Sequence, residues 1–248
     1  MERLAGPRAV TAALDAGRAI DRILVARGAK GHQLQVIIDR CRKHKLPLRF
    51  EPREQLDRLS QGATHQGILA MVAQQSYASL EDIVAASPGD ALIVVADGVS
   101  DPRNLGAIVR SACAAGAVCV VVPERRSAGL TEIVSKAAAG GLEYTSVARV
   151  KNINRALDLL KKEGFWVYGL DERGDQAYFD VDLSGRAALV FGSEGDGLHK
   201  LPASKCDALV KIPTAGQISS LNVSVAAGVV LFEALRQKHQ ARVSKTRG

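Results

Sequence analysis

The feature that most constrains this 248-residue chain is a series of short, almost unbroken apolar runs in its second half, at residues 91–96, 117–122, 165–170, 187–191 and 208–212. A strand with one wet face alternates polar and apolar residues, whereas a continuously apolar strand has to be covered on both faces. Helix-like segments lie between these runs, at residues 105–115, 130–139 and 152–163, with a short strand near 144–147 and a long last helix through 223–238. Strands alternating with helices predict an α/β fold, a mostly parallel sheet with helices on both faces. Ligands of such sheets collect in the loops beyond the strand C-termini.

The first 75 residues read as a smaller α/β unit: helix 7–16, strand 20–26, helix 33–44, strand 47–50, helix 53–59 and strand 67–73. Residues 76–90 mix polar positions, one possible helix at 80–86 and the breaker Ser87-Pro88-Gly89, and read as a linker. The expected organisation is a domain over 1–75, a linker over 76–90 and a second domain over 91–248.

The longest apolar stretches, 111–122 and 223–232, fall short of the roughly 20 residues a membrane helix needs. Glu2, Arg3, Arg8 and Asp15 leave no room for the apolar core of a secretory signal. The four cysteines form no CxxC pair, which argues against zinc, a disulfide scaffold or a redox dithiol. No metal is expected, and the protein reads as cytoplasmic. Charge is unevenly placed. Residues 1–75 carry 13 Lys/Arg against 7 Asp/Glu, residues 76–235 carry 15 against 19, and the last thirteen residues carry five basic groups and no acid. Basic surfaces of this kind favour polyanions, because each neutralised phosphate releases counterions; a solvated basic surface is the competing explanation.

Three loops at strand ends carry unusual residues. The first, Asp97-Gly98-Val99-Ser100-Asp101-Pro102-Arg103-Asn104-Leu105-Gly106, enters a helix that Asn104 could cap and that contains Arg110. Arg110 has Ala107, Ile108, Val109, Ala112 and Ala114 for neighbours, and a cation in such company calls for an anionic partner. The second, Phe191-Gly192-Ser193-Glu194-Gly195-Asp196-Gly197-Leu198, puts three glycines in six residues but matches neither GxGxxG nor a P-loop. The third runs from Ile212-Pro213-Thr214 to Ser219-Ser220-Leu221-Asn222, where either serine could cap the last helix.

Together these loops resemble the three motifs of SpoU-type (TrmH-type) RNA ribose methyltransferases of the SPOUT superfamily: Asp101-Pro102-Arg103-Asn104-Leu105-Gly106 with Arg110, Phe191-Gly192-Ser193-Glu194-Gly195, and Ile212-Pro213 with Ser220-Leu221-Asn222-Val223-Ser224. His65-Gln66-Gly67-Ile68 resembles the close of the family's substrate-binding domain, an L30e-like α/β fold. Arg125-Arg126-Ser127-Ala128 and Gln237 fit the subgroup that methylates guanosine in the peptidyl-transferase loop of 23S rRNA; Thr214 stands where Met is frequent.

The resemblance implies S-adenosylmethionine as methyl donor, 23S rRNA or a ribosomal precursor as partner, a homodimer, and a trefoil knot that no periodicity reveals. It makes Arg110 the main catalytic residue, with Asn104, Glu194, Ser220 and Asn222 orienting the ribose, Arg110 and the cofactor loop, and with backbone groups of Gly192, Ile212 and Leu221 touching the cofactor. Glu194 could instead hold its own loop together. A guanidinium stays protonated, so Arg110 suits phosphate binding and alkoxide stabilisation better than proton abstraction. In the last helix Leu221, Val225, Val229 and Phe232 form one apolar stripe, which the sheet alone could absorb. A tRNA methyltransferase of the same family and a non-catalytic RNA-binding assembly factor are the competing readings.

Overall fold

The computed structural model describes every residue except Met1, Ala19, residues 73–75, Glu194, Asp196, residues 217–219 and residues 247–248, with backbone only for Lys245 and Thr246. The chain divides into two compact units, Met1–Ser76 and Tyr77–Gly248.

The first unit runs β1 (Glu2–Ala5), α1 (Pro7–Asp15), β2 (Ile20–Ala26), α2 (His32–Lys43), β3 (Leu48–Glu51), α3 (Arg53–Ser60) and β4 (Ile68–Val72). Its sheet has the order β1-β4-β2-β3, with β4 antiparallel to both neighbours and β3 parallel to β2. Helices α1 and α2 pack Val10, Leu34, Ile37 and Cys41 on one face, and α3 packs Leu56 on the other. Strand β1 is not marked by the sequence pattern; Leu4 enters the core while the Arg3 guanidinium donates to the Leu59 carbonyl at 3.4 Å. The turn before β4 is locked by buried His65. Its Nε2 lies 2.8 Å from Asp57 Oδ1 and its Nδ1 accepts the Gly67 amide at 3.1 Å, an arrangement that fixes the Nε2–H tautomer.

The second unit runs α4 (Leu80–Ala86), β5 (Leu92–Ala96), α5 (Pro102–Ala114), β6 (Cys119–Pro123), α6 (Glu132–Ala138), a 3₁₀ turn (Gly141–Glu143), β7 (Ser146–Val150), α7 (Ile153–Lys162), β8 (Trp166–Leu170), β9 (Gln176–Ala177), β10 (Ala187–Phe191), α8 (Lys200–Lys205), β11 (Ala208–Lys211) and α9 (Val223–Thr246). The seven strands are ordered β7-β6-β5-β10-β8-β11-β9 and every adjacent pair is parallel. Side chains alternate between two cores. Leu92, Val94 and Ala96 of β5 meet α5, α6 and α9, while Ile93 and Val95 meet α4 and α7. Residues 77–90, expected as a linker, therefore build into the second unit: Leu80 and Val84 lie in its core. Tyr77 also docks there, accepting the Leu130 amide at 3.1 Å with the Arg149 guanidinium 4.4 Å over its ring.

Two helices differ from expectation. Asp101, not Asn104, caps α5: its carboxylate accepts the Arg103 amide at 2.7 Å, and Pro102 takes the first-turn position where a missing N–H costs nothing. Helix α9 continues through most of the basic tail, because that tail has partners. Lys238 is buried and donates to the carbonyls of Asp90, Ser184 and Gly185. Arg242 pairs with Asp90 at 2.8 Å and Arg236 with Glu233 at 2.6 Å. Gln237 bridges to the Leu183 amide at 2.7 Å and the Val181 carbonyl at 3.0 Å. The stripe that covers the sheet is Val223, Ala227, Val230, Leu231 and Ala234. Leu221, Val225 and Phe232, expected to be able to serve that purpose, are instead 42%, 51% and 50% exposed. Among the described residues no helix is long and apolar enough to cross a membrane.

Helices α5 and α6 cross at Gly106, where a Cβ would stand 2.4 Å from Ala137 Cβ and 2.7 Å from the Val134 carbonyl oxygen. Gly106→Val should therefore cost about 2–3 kcal/mol by overpacking. Thermal unfolding followed by circular dichroism checks this, and an unchanged midpoint contradicts the packing.

Candidate functional site

The loops after β8, β10 and β11 meet beyond the strand C-termini and enclose a cavity of about 640 Å³. Sheet order explains why: β10, β8 and β11 are neighbours and run parallel, so the loops that follow them leave the sheet side by side at the same end.

The glycine-rich loop is folded back on itself. The amides and carbonyls of Ser193 and Gly197 exchange two hydrogen bonds of 3.1 Å. A Cβ on Gly192 would lie 2.0 Å from the Gly197 carbonyl oxygen, so only glycine fits there. Ser193 contributes to this wall, while its hydroxyl oxygen is buried with no hydrogen-bond partner among the described residues.

Five of the eight residues singled out from the sequence line this cavity: Gly192, Ile212, Ser220, Leu221 and Asn222. Asn104 does not line it but is tied to it, since the Asn222 side-chain amide donates to Asn104 Oδ1 at 3.2 Å. Asn222 also caps α9. Its Oδ1 accepts the Ser224 amide at 2.9 Å and the Ser224 hydroxyl at 2.6 Å. That is the task the sequence left to Ser219 or Ser220; Ser219 lies outside the described residues, as does Glu194.

Arg110 is placed differently from its apolar sequence neighbourhood. Leu105, Ile108, Val109 and Ala112 form the buried face of α5, and the helical period turns Arg110 outward into solvent, off the cavity wall. Its Cα backs onto Gly141.

The loop after β8 was not singled out from the sequence, yet Asp171, Glu172 and Arg173 line the cavity. Three charged residues directly after an apolar strand were the available signal. Asp171 accepts the Arg173 Nε and Nη2 hydrogens, each at 2.7 Å, and the Arg173 amide at 2.9 Å. The Arg173 side chain, with the Leu198 amide assisting, holds that carboxyl below its usual range. A second carboxyl lies at the end of β5. Burial raises Asp97 above the usual range, against the pull of His199, whose Nδ1 is 3.7 Å away, and of Arg126.

Fold and cavity together define a parallel α/β protein whose ligand crevice is built from loops at successive strand ends. Residues 91–232 match the SpoU rRNA Methylase family, and residues 3–78 match the RNA 2′-O ribose methyltransferase substrate-binding family. The chain belongs to the SpoU rRNA methylase family. It is 42% identical over 219 residues to the 23S rRNA (guanosine-2′-O-)-methyltransferase RlmB of Xylella fastidiosa, covering 87% of this chain and 88% of that protein. Among solved structures, the SpoU methyltransferase AviRb from Streptomyces viridochromogenes in complex with the cofactor AdoMet superposes with a TM-score of 0.79 at 26% identity, over 95% of this chain and 89% of that one. The AdoMet-bound rRNA methyltransferase from Sinorhizobium meliloti gives 0.80 at 26% identity, over 95% and 87%.

Because Gly192 packs against the Gly197 carbonyl, Gly192→Ala should push the loop into the cavity and abolish ligand binding there. The core lies elsewhere, so the thermal midpoint should move by only a few degrees. Calorimetric titration with S-adenosylhomocysteine beside a melting curve measures both, and wild-type affinity in the variant would contradict the geometry.

Proposed function

We propose that this protein transfers a methyl group from S-adenosylmethionine to the 2′-hydroxyl of a guanosine ribose in 23S rRNA, in the peptidyl-transferase loop. The observation that carries this reading is the convergence of Gly192, Ile212, Ser220, Leu221 and Asn222 on one cavity, with Asn104 hydrogen-bonded to its rim.

The residues fit the cofactor. About 640 Å³ falls within the roughly 300–1,000 Å³ of cofactor sites. Gly192, Gly195 and Gly197 line one wall with no side chains to cover their backbone polar groups, which suit an adenine edge. Gly192, Ile212 and Leu221 would hold the base and Ser220 the cofactor loop. When bound, the cofactor supplies a methyl on a cationic sulfur with a good leaving group. The chain's own work is then positioning, which is worth several kcal/mol of barrier. Asn104 and Asn222 orient the ribose. Arg110, exposed on α5, grips the adjacent phosphate and steadies charge on the attacking oxygen. The 2′-oxygen gains the methyl and its proton leaves to solvent. Glu194 belongs to the same reading, as a residue that orients Arg110 and the loop.

The RNA is held by the first unit, where Arg8, Lys30, Arg42, Lys43, Lys45, Arg49, Arg53 and Arg58 are exposed. Its match to a substrate-binding family supports this, and the likeness to RlmB favours 23S rRNA or its precursor over tRNA. Such a substrate assigns the protein to the cytoplasm. A C-terminal trefoil knot is part of the reading. The strand order, with β8 flanked by the later β10 and β11, supports it. So is a homodimer: the exposed Val225 and Phe232 on the last helix and the exposed Leu221 just before it offer apolar surface, and Leu221 also lines the cavity.

Purified protein with labelled S-adenosylmethionine should methylate 23S rRNA fragments in preference to tRNA, and primer-extension stops at low nucleotide concentration should locate the 2′-O-methyl group. Arg110→Ala should lower turnover at least about a hundredfold, the scale of losing one stabiliser of developing charge, while S-adenosylhomocysteine affinity stays within about twofold of wild type. Cofactor binding without transfer to any RNA would favour the binding-factor reading.

Light scattering at micromolar concentration should give twice the 26.3 kDa chain mass. Val225→Lys together with Phe232→Lys should give the single-chain mass, and a wild-type monomer that methylates RNA would remove the dimer.

A further inference from the structure

The charged triplet after β8 makes contacts that the three-motif reading leaves unassigned. The Asp171 side chain is only 4% exposed, and Arg173 wraps around it through backbone and guanidinium. From there the pair reaches a second loop. Arg173 Nη2 also donates to the Leu198 carbonyl at 3.3 Å, and the Leu198 amide acts on the Asp171 carboxylate. A Cβ on Gly197 would stand 3.6 Å from Asp171 Oδ2, so the carboxylate lies directly against the end of the glycine-rich loop. A third strand end is tied in by the Asp171 amide, which donates to the Val210 carbonyl at 3.0 Å.

Leu198 is a strategic place to hold. Its side chain is buried among residues of the sheet face that carries α4 and α7. Its backbone ends a loop with three glycines in six residues, which loses more conformational entropy on ordering than any other composition. Residues 171–173 and Gly192, Ser193, Gly195 and Gly197 line the same cavity.

We propose that Asp171 and Arg173 form a clasp that fixes the glycine-rich loop against the loop after β8 and so preorganises the methyl-donor cavity, making both of them positioning residues for donor binding. This rests on the reading of the cavity as the donor site. The clasp acts through Leu198 and Gly197 and not through the reacting atoms. Removing it leaves the walls free to separate, and the donor must then re-order them. The Arg173 side chain is 58% exposed, so solvent screens the pair from that side and limits its contribution to global stability. Its charges persist across neutral pH, because the partners push the carboxyl down and the guanidinium up.

The test is calorimetric titration of the full chain with S-adenosylhomocysteine, for wild type, Arg173→Ala, Asp171→Asn, Arg173→Lys and the double variant Asp171→Asn/Arg173→Ala. Arg173→Ala and Asp171→Asn should each raise Kd about tenfold, a penalty of about 1.4 kcal/mol. The double variant should be no worse than either single one, as expected of groups acting as a unit, and Arg173→Lys should recover part of the loss. In methyl-transfer assays KM for the donor should rise while KM for RNA stays within about twofold. Backbone amides of residues 192–198 should exchange hydrogen faster in the variants, with the thermal midpoint nearly unchanged. Wild-type affinity in folded Arg173→Ala and Asp171→Asn overturns the clasp and leaves the donor site standing. Failure of the wild-type protein to bind S-adenosylhomocysteine overturns the donor site and the clasp with it.

Discussion

One parallel sheet of the second unit must serve two apolar cores at once, and the rest of that unit follows from this. Successive residues of β5, β6 and β10 point to opposite faces: Leu92, Val94, Val120 and Leu189 to one, Ile93, Val95, Val121 and Val190 to the other. Burial of a Val or Leu side chain is worth about 1.5–3 kcal/mol, so helices must cover both faces. Polar chemistry is thereby excluded from the strands. It is pushed to their ends, where the backbone leaves the sheet and charged groups can be hydrated or paired.

At those ends the loops are held by close backbone approach and by a few strong polar contacts. Gly192 lies under Gly197 with no space for a methyl group, and the two-bond bridge between Ser193 and Gly197 sets the loop's curvature. Asn222 caps α9 and also holds Asn104, joining the first and third motif loops across 118 positions of sequence. A single amide thus couples the start of α5 to the start of α9, the helices that share the larger core. The charged pair after β8 extends the same principle to a fourth loop.

Charge is partitioned by task. In the tail, Lys238 and Arg242 are bound to carbonyls and a carboxylate elsewhere in the second unit and fasten α9 down, while Arg236 pairs with Glu233 within the helix. In the first unit many lysines and arginines remain at the surface around a core of ordinary apolar residues. Net charge over a segment therefore says less about a partner than the number of cations left without a local anion.

How much of this was legible in the sequence depends on the range of the interaction involved. Strand and helix periodicity is local, and the runs at 91–96, 117–122 and 187–191 declare buried strands by composition alone. The three motif loops were equally readable, because their glycines, Asn104 and Asn222 are unusual residues at strand ends. What stayed hidden is decided between distant segments. Nothing in the spacing of α9 tells which of its two apolar stripes faces the sheet, since either repeats every three or four residues. Packing against α5 chooses Val223, Ala227 and Leu231 and leaves Leu221, Val225 and Phe232 outside. The same holds for Arg110, whose neighbours Ile108, Val109 and Ala112 turn into the core and away from it once the helix is wound. Asp171 and Arg173 become part of a cavity only because β8 lies between β10 and β11. Sequence determined the elements and the residues able to do chemistry; tertiary structure decided which faces meet, because that choice rests on shape complementarity between segments far apart in the chain.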